Sequence, residues 1–159
     1  MNYKARHKAR VFAMQALYQW AHTGEDIAFL CAQFRTRNDY HKYVDWEFFD
    51  RLLTGVMLEI NTIDELITTG AKRPLKEINP VELALLRVAL FELKECVDVP
   101  YQVVISEYVD ISSEFGSSEA HQFINATLEQ LAKTLRALEY KQGSDDERIK
   151  SKQTEKKTA

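Results

Sequence analysis

The chain has 159 residues, of which 45% are hydrophobic, and its formal net charge is −3. This length supports one domain with a substantial core, and five Gly and three Pro are too few turn formers for an all-β protein. Two cysteines and no signal-like N-terminus argue against a disulfide framework and favour the cytoplasm. No segment is long and apolar enough to predict a membrane span.

The charge is unevenly distributed. Residues 1–24 carry four basic residues and no acid, whereas residues 25–140 carry 11 basic and 20 acidic residues. An acidic body with a basic N-terminus indicates a localised anion-binding site.

The first helix is predicted over residues 3–21, because small and apolar residues recur there on one arc at 100° per residue. A weaker helix is predicted over 26–36 and a loop over 37–44. Asp45 then caps a third helix, in which Gly55 allows a close helix crossing. Thr62 indicates the cap of a further short helix that ends at Gly70. Residues 72–74 are a predicted linker between two halves, roughly 1–70 and 75–140.

The second half begins with the helix around which the chain is organised. Asn79 is its predicted cap, Pro80 its first residue and Leu93 its last. It is apolar almost all the way round, which predicts a central helix wrapped by the others. Another helix is predicted from Pro100 to Phe115.

Ser117 or Ser118 is predicted to cap the last helix, whose apolar stripe runs from Ile124 to Leu138. Phe123 lies about 100° off that stripe. From Lys141 onward the chain is charged and polar, so we expect disorder over 141–159 beyond a domain that spans 1–140.

No phosphate-binding Gly-rich loop, metal-spaced Cys/His cluster or nucleophile elbow is found, so we predict no enzyme, no metal and no cofactor.

The exposed arc of the first helix is the best functional signal. It carries Lys4, Arg6, His7, Lys8, Arg10, Gln15 and Tyr18. One interpretation is a solvated helix face. The other is single-stranded nucleic acid, because basic residues neutralise phosphates and an aromatic ring stacks on unpaired bases.

The sequence resembles the NusB family of bacterial transcription antitermination factors. Five segments carry the resemblance, in order: Arg6-His7-Lys8-Ala9-Arg10 with Gln15-Ala16-Leu17-Tyr18-Gln19-Trp20; Pro80-Val81-Glu82 with Leu86-Arg87-Val88-Ala89-Leu90-Phe91-Glu92-Leu93; Asp98-Val99-Pro100-Tyr101; Phe115-Gly116; and His121-Gln122-Phe123-Ile124-Asn125. They cover the chain from about Lys4 to Arg136.

The resemblance implies an all-α bundle of about seven helices in two three-helix halves. It implies binding of the single-stranded boxA RNA of ribosomal-operon leaders, jointly with a small-subunit ribosomal protein, in a complex with RNA polymerase and other Nus factors. The RNA-binding residues it implies are Lys4, Arg6, His7, Lys8, Arg10, Tyr18 and Phe123, to which the arc adds Gln15. A monomer and a homodimer both stay open.

The chain departs from the family at Arg6-His7-Lys8, where consecutive arginines are usual. Lysine does not pair with phosphate bidentately, and histidine makes binding pH-dependent. Glu77 and Glu82 flank the start of the central helix, and we expect this acidic rim to attract the basic ribosomal partner.

Two rival functions remain open. A similar helical domain occurs fused to RNA cytosine methyltransferases, but this sequence lacks a cofactor loop. The other rival is a helical protein-interaction adaptor that does not bind RNA and uses the basic arc for an acidic partner.

Overall fold

The structure is a computed structural model that describes residues 3–39 and 42–158, with backbone only at 144–147, 149, 151 and 154–158. Residues 40 and 41 of the predicted loop lie outside the described residues. The described part contains eight α-helices and one 3-10 turn, which confirms the all-α prediction. These are α1 Tyr3–Thr23, α2 Ile27–Arg37, α3 Trp46–Leu58, α4 Ile60–Ala71, the 3-10 turn Leu75–Glu77, α5 Pro80–Glu95, α6 Tyr101–Phe115, α7 Ala120–Leu135 and α8 Ala137–Thr158.

Helix α5 is the centre of the fold, as its sequence predicts. The side chain of Asn79 caps it by accepting hydrogen bonds from the N–H groups of Val81 (2.9 Å) and Glu82 (3.5 Å). Every residue from Ala84 to Leu93 is buried, and α5 packs against α1, α3, α4, α6 and α7. The five surrounding helices therefore each bury one face on the same helix.

The close crossing predicted at Gly55 is confirmed. A Cβ atom at this position would lie 2.1 Å from Cζ of Phe91, so a side chain here would force the Phe91 ring to move. The cap of α3 is also the predicted one, because Oδ1 of Asp45 accepts a hydrogen bond from the N–H of Phe48 at 3.0 Å.

Both predicted ends of the fourth helix are wrong. Helix α4 begins at Ile60 rather than at Thr62, since the break from α3 falls at Glu59, whose carboxylate pairs with Lys94 of α5. Gly70 does not end the helix but packs inside it against Leu131, and Lys72 ends the helix in the left-handed region with φ 56°. Local cap patterns were thus overridden by tertiary contacts.

The predicted serine cap of α7 is also wrong. Neither Ser117 nor Ser118 caps the helix, which follows Glu119 without a side-chain cap. The hydroxyl of Ser117 instead lies 3.5 Å from a carboxylate oxygen of Glu82, at the start of α5. This serine therefore links two helix starts.

The apolar stripe of the last helix ends earlier than predicted, at Arg136. This residue leaves the helical conformation, and its buried guanidinium donates hydrogen bonds to backbone carbonyls around the end of α5, including those of Leu93 (2.6 Å) and Cys96 (2.9 Å). The interruption rotates the following helix, so Leu138 is 85% exposed instead of continuing the stripe.

Helix α8 continues to Thr158 through the segment for which the sequence predicts disorder, and disorder from Lys141 onward stays a prediction. The first turn of α8 is anchored. Glu139 accepts a hydrogen bond from the N–H of Tyr101 at 2.9 Å, and the rings of Tyr140 and Tyr101 lie 5.5 Å apart. An anchored turn supplies the costly nucleus from which a helix propagates. None of the described helices is both long and apolar enough to span a bilayer.

The division into halves 1–70 and 75–140 stays a prediction. Its boundary falls between α4 and α5, and α5 packs against helices of both halves.

The crossing at Gly55 gives a stability prediction. Gly55→Ala should destabilise the protein by about 1–3 kcal/mol, because the added methyl overlaps the ring of Phe91 and this overpacking outweighs the better helix propensity of alanine. In a Phe91→Leu background the same substitution should cost less, since the ring is gone. Urea unfolding of the four proteins measures both steps. An equal cost in both backgrounds would show that Phe91 is not what excludes a side chain.

Candidate nucleic-acid interface

The outward face of α1 presents a short run of basic and polar side chains that ends in an aromatic ring. Lys4 is exposed, Lys8 and Gln15 are partly exposed, and Tyr18 is 38% exposed. At 100° per residue these four positions lie within one narrow arc, opposite the buried alanines that pack on α3 and α5. The Tyr18 ring lies 4.3 Å from that of His22 between centroids.

Arg10 does not belong to this face, contrary to the prediction. Its side chain is 2% exposed and forms a bidentate pair with Glu92 of α5, with Nη2–Oε1 2.6 Å and Nε–Oε2 3.0 Å. The hydroxyl of Tyr108 donates to the same carboxylate at 2.7 Å. Burial favours the neutral form of Arg10, but the hydrogen bond to Glu92 and the surrounding acidic groups together raise its pKa above the ordinary value. Arg10 is a permanent cation of the core and cannot reach a phosphate.

His7 and Arg6 are partly withdrawn from the face as well. His7 Nδ1 lies 2.8 Å from Oε2 of Glu107 on α6, a carboxylate that is itself buried and 3.3 Å from Nη1 of Arg10. The guanidinium of Arg6 lies 4.5 Å from the ring centroid of Phe48, and its Nε lies 3.8 Å from Asp45. Arg6 is therefore held against the start of α3.

Phe123 lies in a second feature, an open groove of about 610 Å³ between the start of α5 and the α6–α7 connection. The guanidinium of Arg73 lies 4.3 Å from the centroid of the Phe123 ring. The groove is also lined by Glu77, which is exposed, and by Glu82, which is only 9% exposed. The structure thus brings Phe123 together with both acids proposed to bind a partner, and the residues that line this groove do not include those of the α1 face.

The sequence interpretation missed Arg73 and Glu107. Arg73 lies in the predicted linker, and only the fold places it over an aromatic ring. Glu107 occupies the buried stripe of α6 beside Val104, Tyr108 and Ile111, which was a usable signal. An acid on an apolar stripe needs a cation beside it when it is buried. The basic residues of α1, which have no acid near them in the sequence, are the natural source of that cation.

The arrangement can bind a flexible polyanion. Lys4 and Lys8 supply point charges for phosphates, while Tyr18 and Phe123 supply ring surface for unstacked bases. Among the described residues, His, Cys, Asp and Glu side chains form no group that could hold a metal ion.

Comparison with known proteins identifies clear relatives. The NusB family model matches residues 7–133. A transcription antitermination protein NusB from Teredinibacter turnerae is 46% identical over 136 residues, which cover 85% of this chain and 92% of the relative. The Idiomarina loihiensis protein of the same name is 43% identical over 132 residues, covering 83% of this chain and 94% of the relative.

Solved structures share the fold. T. maritima NusB superposes with a TM-score of 0.75 at 24% identity, covering 85% of this chain and 96% of the other. The solution structure of NusB from Aquifex aeolicus gives a TM-score of 0.67 at 25% identity, covering 82% and 88%. A crystal structure of the antitermination factors NusB and NusE in complex with double-stranded RNA gives 0.74 at 22% identity, covering 83% and 98%.

The burial of Arg10 separates two kinds of basic residue on α1. Arg10→Ala should destabilise the protein by about 3–5 kcal/mol, because it leaves the carboxylate of Glu92 buried without its cation. Lys8→Ala, on the outward face, should cost less than about 1 kcal/mol. Denaturant unfolding of both variants tests the assignment, and a small loss for Arg10→Ala would contradict it.

Proposed function

The chain belongs to the NusB family of transcription antitermination proteins, and from that premise we propose that it binds single-stranded boxA-type RNA of ribosomal-operon leaders. We propose that it does so together with a small-subunit ribosomal protein, and that the pair joins the RNA polymerase antitermination complex with other Nus factors. The family is non-enzymatic, so the chemistry consists of binding alone.

The observation that carries this proposal is the outward face of α1. Phosphate contacts need cations, and residues 1–24 carry four basic residues and no acid. The exposed ring of Tyr18 favours a single strand, since the bases of a duplex are already stacked on one another. RNA running along α1 would contact Lys4 and Lys8 through its backbone and Tyr18 through a base.

The groove at Phe123 is proposed as a second contact. The ring is partly buried, and the guanidinium of Arg73 lies over one of its faces. A base would therefore stack beside this guanidinium or in its place. Arg73 would then be free to pair with a phosphate, which its planar fork recognises bidentately.

The acids of this groove are proposed to bind the basic ribosomal partner. Glu77 is exposed and can take the main part, whereas Glu82 is largely buried and lies 3.5 Å from the Ser117 hydroxyl. Because Glu77 and Phe123 line the same groove, the partner and the RNA would meet there, and each would screen the charge that the other presents.

An RNA titration tests the first part of the proposal. A boxA-like strand should bind more tightly than a scrambled strand or a duplex, and Lys8→Ala should reduce the slope of log affinity against log salt by about one unit. Tyr18→Leu should weaken binding by about 1–3 kcal/mol through loss of one stacked base. Tyr43→Leu, at another exposed tyrosine, is the matched control and should change nothing.

The same titration distinguishes RNA binding from the rival function of a protein-interaction adaptor. Equal, negligible affinity for all three nucleic acids would leave a protein-interaction adaptor as the better interpretation. Binding of an acidic protein to the α1 face, lost in Lys8→Ala, would then be the positive sign of that adaptor.

A second experiment tests the partner. The ribosomal protein should raise RNA affinity by a coupling free energy of about 1–3 kcal/mol, and RNA should raise partner affinity by the same factor. Glu77→Gln should weaken partner binding, while Glu65→Gln, an exposed acid on α4, should not. Measuring each affinity with and without the other ligand checks this. Unchanged affinities in all combinations would exclude joint binding.

A further inference from the structure

Glu107 is the meeting point of three side chains from the start of α1. The hydroxyl of Tyr3, Nδ1 of His7 and Nη1 of Arg10 all reach its carboxylate, the last two at 2.8 Å and 3.3 Å. These α1 positions are spaced i, i+4 and i+7, so they form one stripe of the helix. A single buried acid of α6 therefore holds the first two turns of the helix that carries the proposed RNA face.

The contact with Glu107 also fixes the orientation of His7. A carboxylate accepts hydrogen bonds, so Nδ1 of His7 must carry a proton and donate it. The other ring nitrogen, Nε2, lies at the opposite edge of the imidazole and faces away from Glu107. The side chain of His7 is 35% exposed, so its contact with the buried Glu107 does not close the ring off from solvent.

We propose that Glu107 is a positioning residue that holds His7 so that its Nε2 binds an RNA phosphate, and that RNA binding is coupled to uptake of one proton by His7. The inference rests on the proposed RNA-binding function and names a contact within it. The proton comes from the solvent and is bound at Nε2, and no covalent bond changes.

The proton requirement follows from the donors that each form of imidazole offers. A neutral ring has one N–H, and Glu107 takes it, so Nε2 would present a lone pair to the phosphate oxygens. The imidazolium has two N–H groups and can serve Glu107 and a phosphate together. Only the protonated form therefore bridges the carboxylate and the RNA.

The charges around Glu107 suit an imidazolium at His7. Arg10 contacts both Glu92 and Glu107, so one cation serves two buried carboxylates and the cluster keeps a negative charge beside His7. Asp110, one turn further along α6, also acts electrostatically on Tyr3 at the start of α1. A bound RNA phosphate supplies the acceptor for Nε2.

The test is RNA affinity as a function of pH at constant ionic strength, with a boxA-like strand. The wild-type protein should bind about tenfold more tightly at pH 6 than at pH 8, the gain expected for one charged hydrogen bond. Calorimetry in buffers of different ionisation enthalpy should show net proton uptake. His7→Gln should bind weakly at both pH values, and His7→Arg should bind at pH 8 as the wild type does at pH 6. His121→Gln, at an exposed histidine of α7, should retain the wild-type profile.

The role of Glu107 is tested separately. Glu107→Gln keeps the Arg10–Glu92 pair and a hydrogen-bond acceptor but removes the charge, so its affinity at pH 6 should fall toward that of His7→Gln. Nitrogen chemical shifts of His7 in the free wild-type protein at pH 8 should show the tautomer protonated at Nδ1. These shifts need no variant and decide the orientation even where Glu107→Gln does not fold.

Three results would overturn the inference: a wild-type pH profile that equals that of His7→Gln, a folded Glu107→Gln with the wild-type profile, or a neutral His7 protonated at Nε2. Failure of the proposed function looks different, because the wild type would then bind the RNA at neither pH.

Discussion

The bidentate pair between Arg10 and Glu92 is the interaction on which the rest of the structure depends. Two charges are removed from water at the contact of α1 with α5, and the hydroxyl of Tyr108 brings α6 to the same carboxylate. Such a pair contributes little net stability compared with an apolar contact, but any arrangement that separates its members leaves a buried charge unpaired. We infer that it fixes how α1 sits on the bundle rather than how stable the bundle is.

This constraint places the proposed RNA face. Arg10 and the buried alanines of α1 face the bundle, and Lys4, Lys8, Gln15 and Tyr18 lie on the opposite arc, about 80° or more from Arg10. Glu107 then holds the first turns of the helix through His7. A surface for a flexible polyanion is thereby presented by a rigid helix, which lowers the entropy lost on binding.

The sequence was sufficient for features that depend on local chemistry or on apolar periodicity. The Asn79 cap, the all-round burial of α5 and the close approach at Gly55 were predicted correctly because each follows from residues near in sequence. The place of Arg10 could not be predicted, since its partner is 82 residues away and helical periodicity treats arginine as a solvent-facing residue. Yet Glu92 interrupts an otherwise apolar helix, and that interruption already required a buried cation from elsewhere in the chain.

Two departures from the predicted helix ends have the same cause, namely side-chain contacts with α5. These contacts also shape the groove at Phe123. Arg136 stops α7 by binding carbonyls at the end of α5, and Ser117 reaches Glu82 rather than capping its own helix. In both cases a side chain near a helix end contacts α5 instead of capping or continuing its own helix. At the Ser117 end this leaves Phe123 beside Arg73 and Glu77 in an open groove of mixed charge. Residues 25–140 carry more acidic than basic residues, so a strand approaching this chain is directed first to the basic helix α1. The groove is lined by Arg73 and by three acids, Glu77, Glu82 and Glu119. It is therefore favourable to RNA only when a basic partner neutralises these acids, and this gives the proposed joint binding an electrostatic origin.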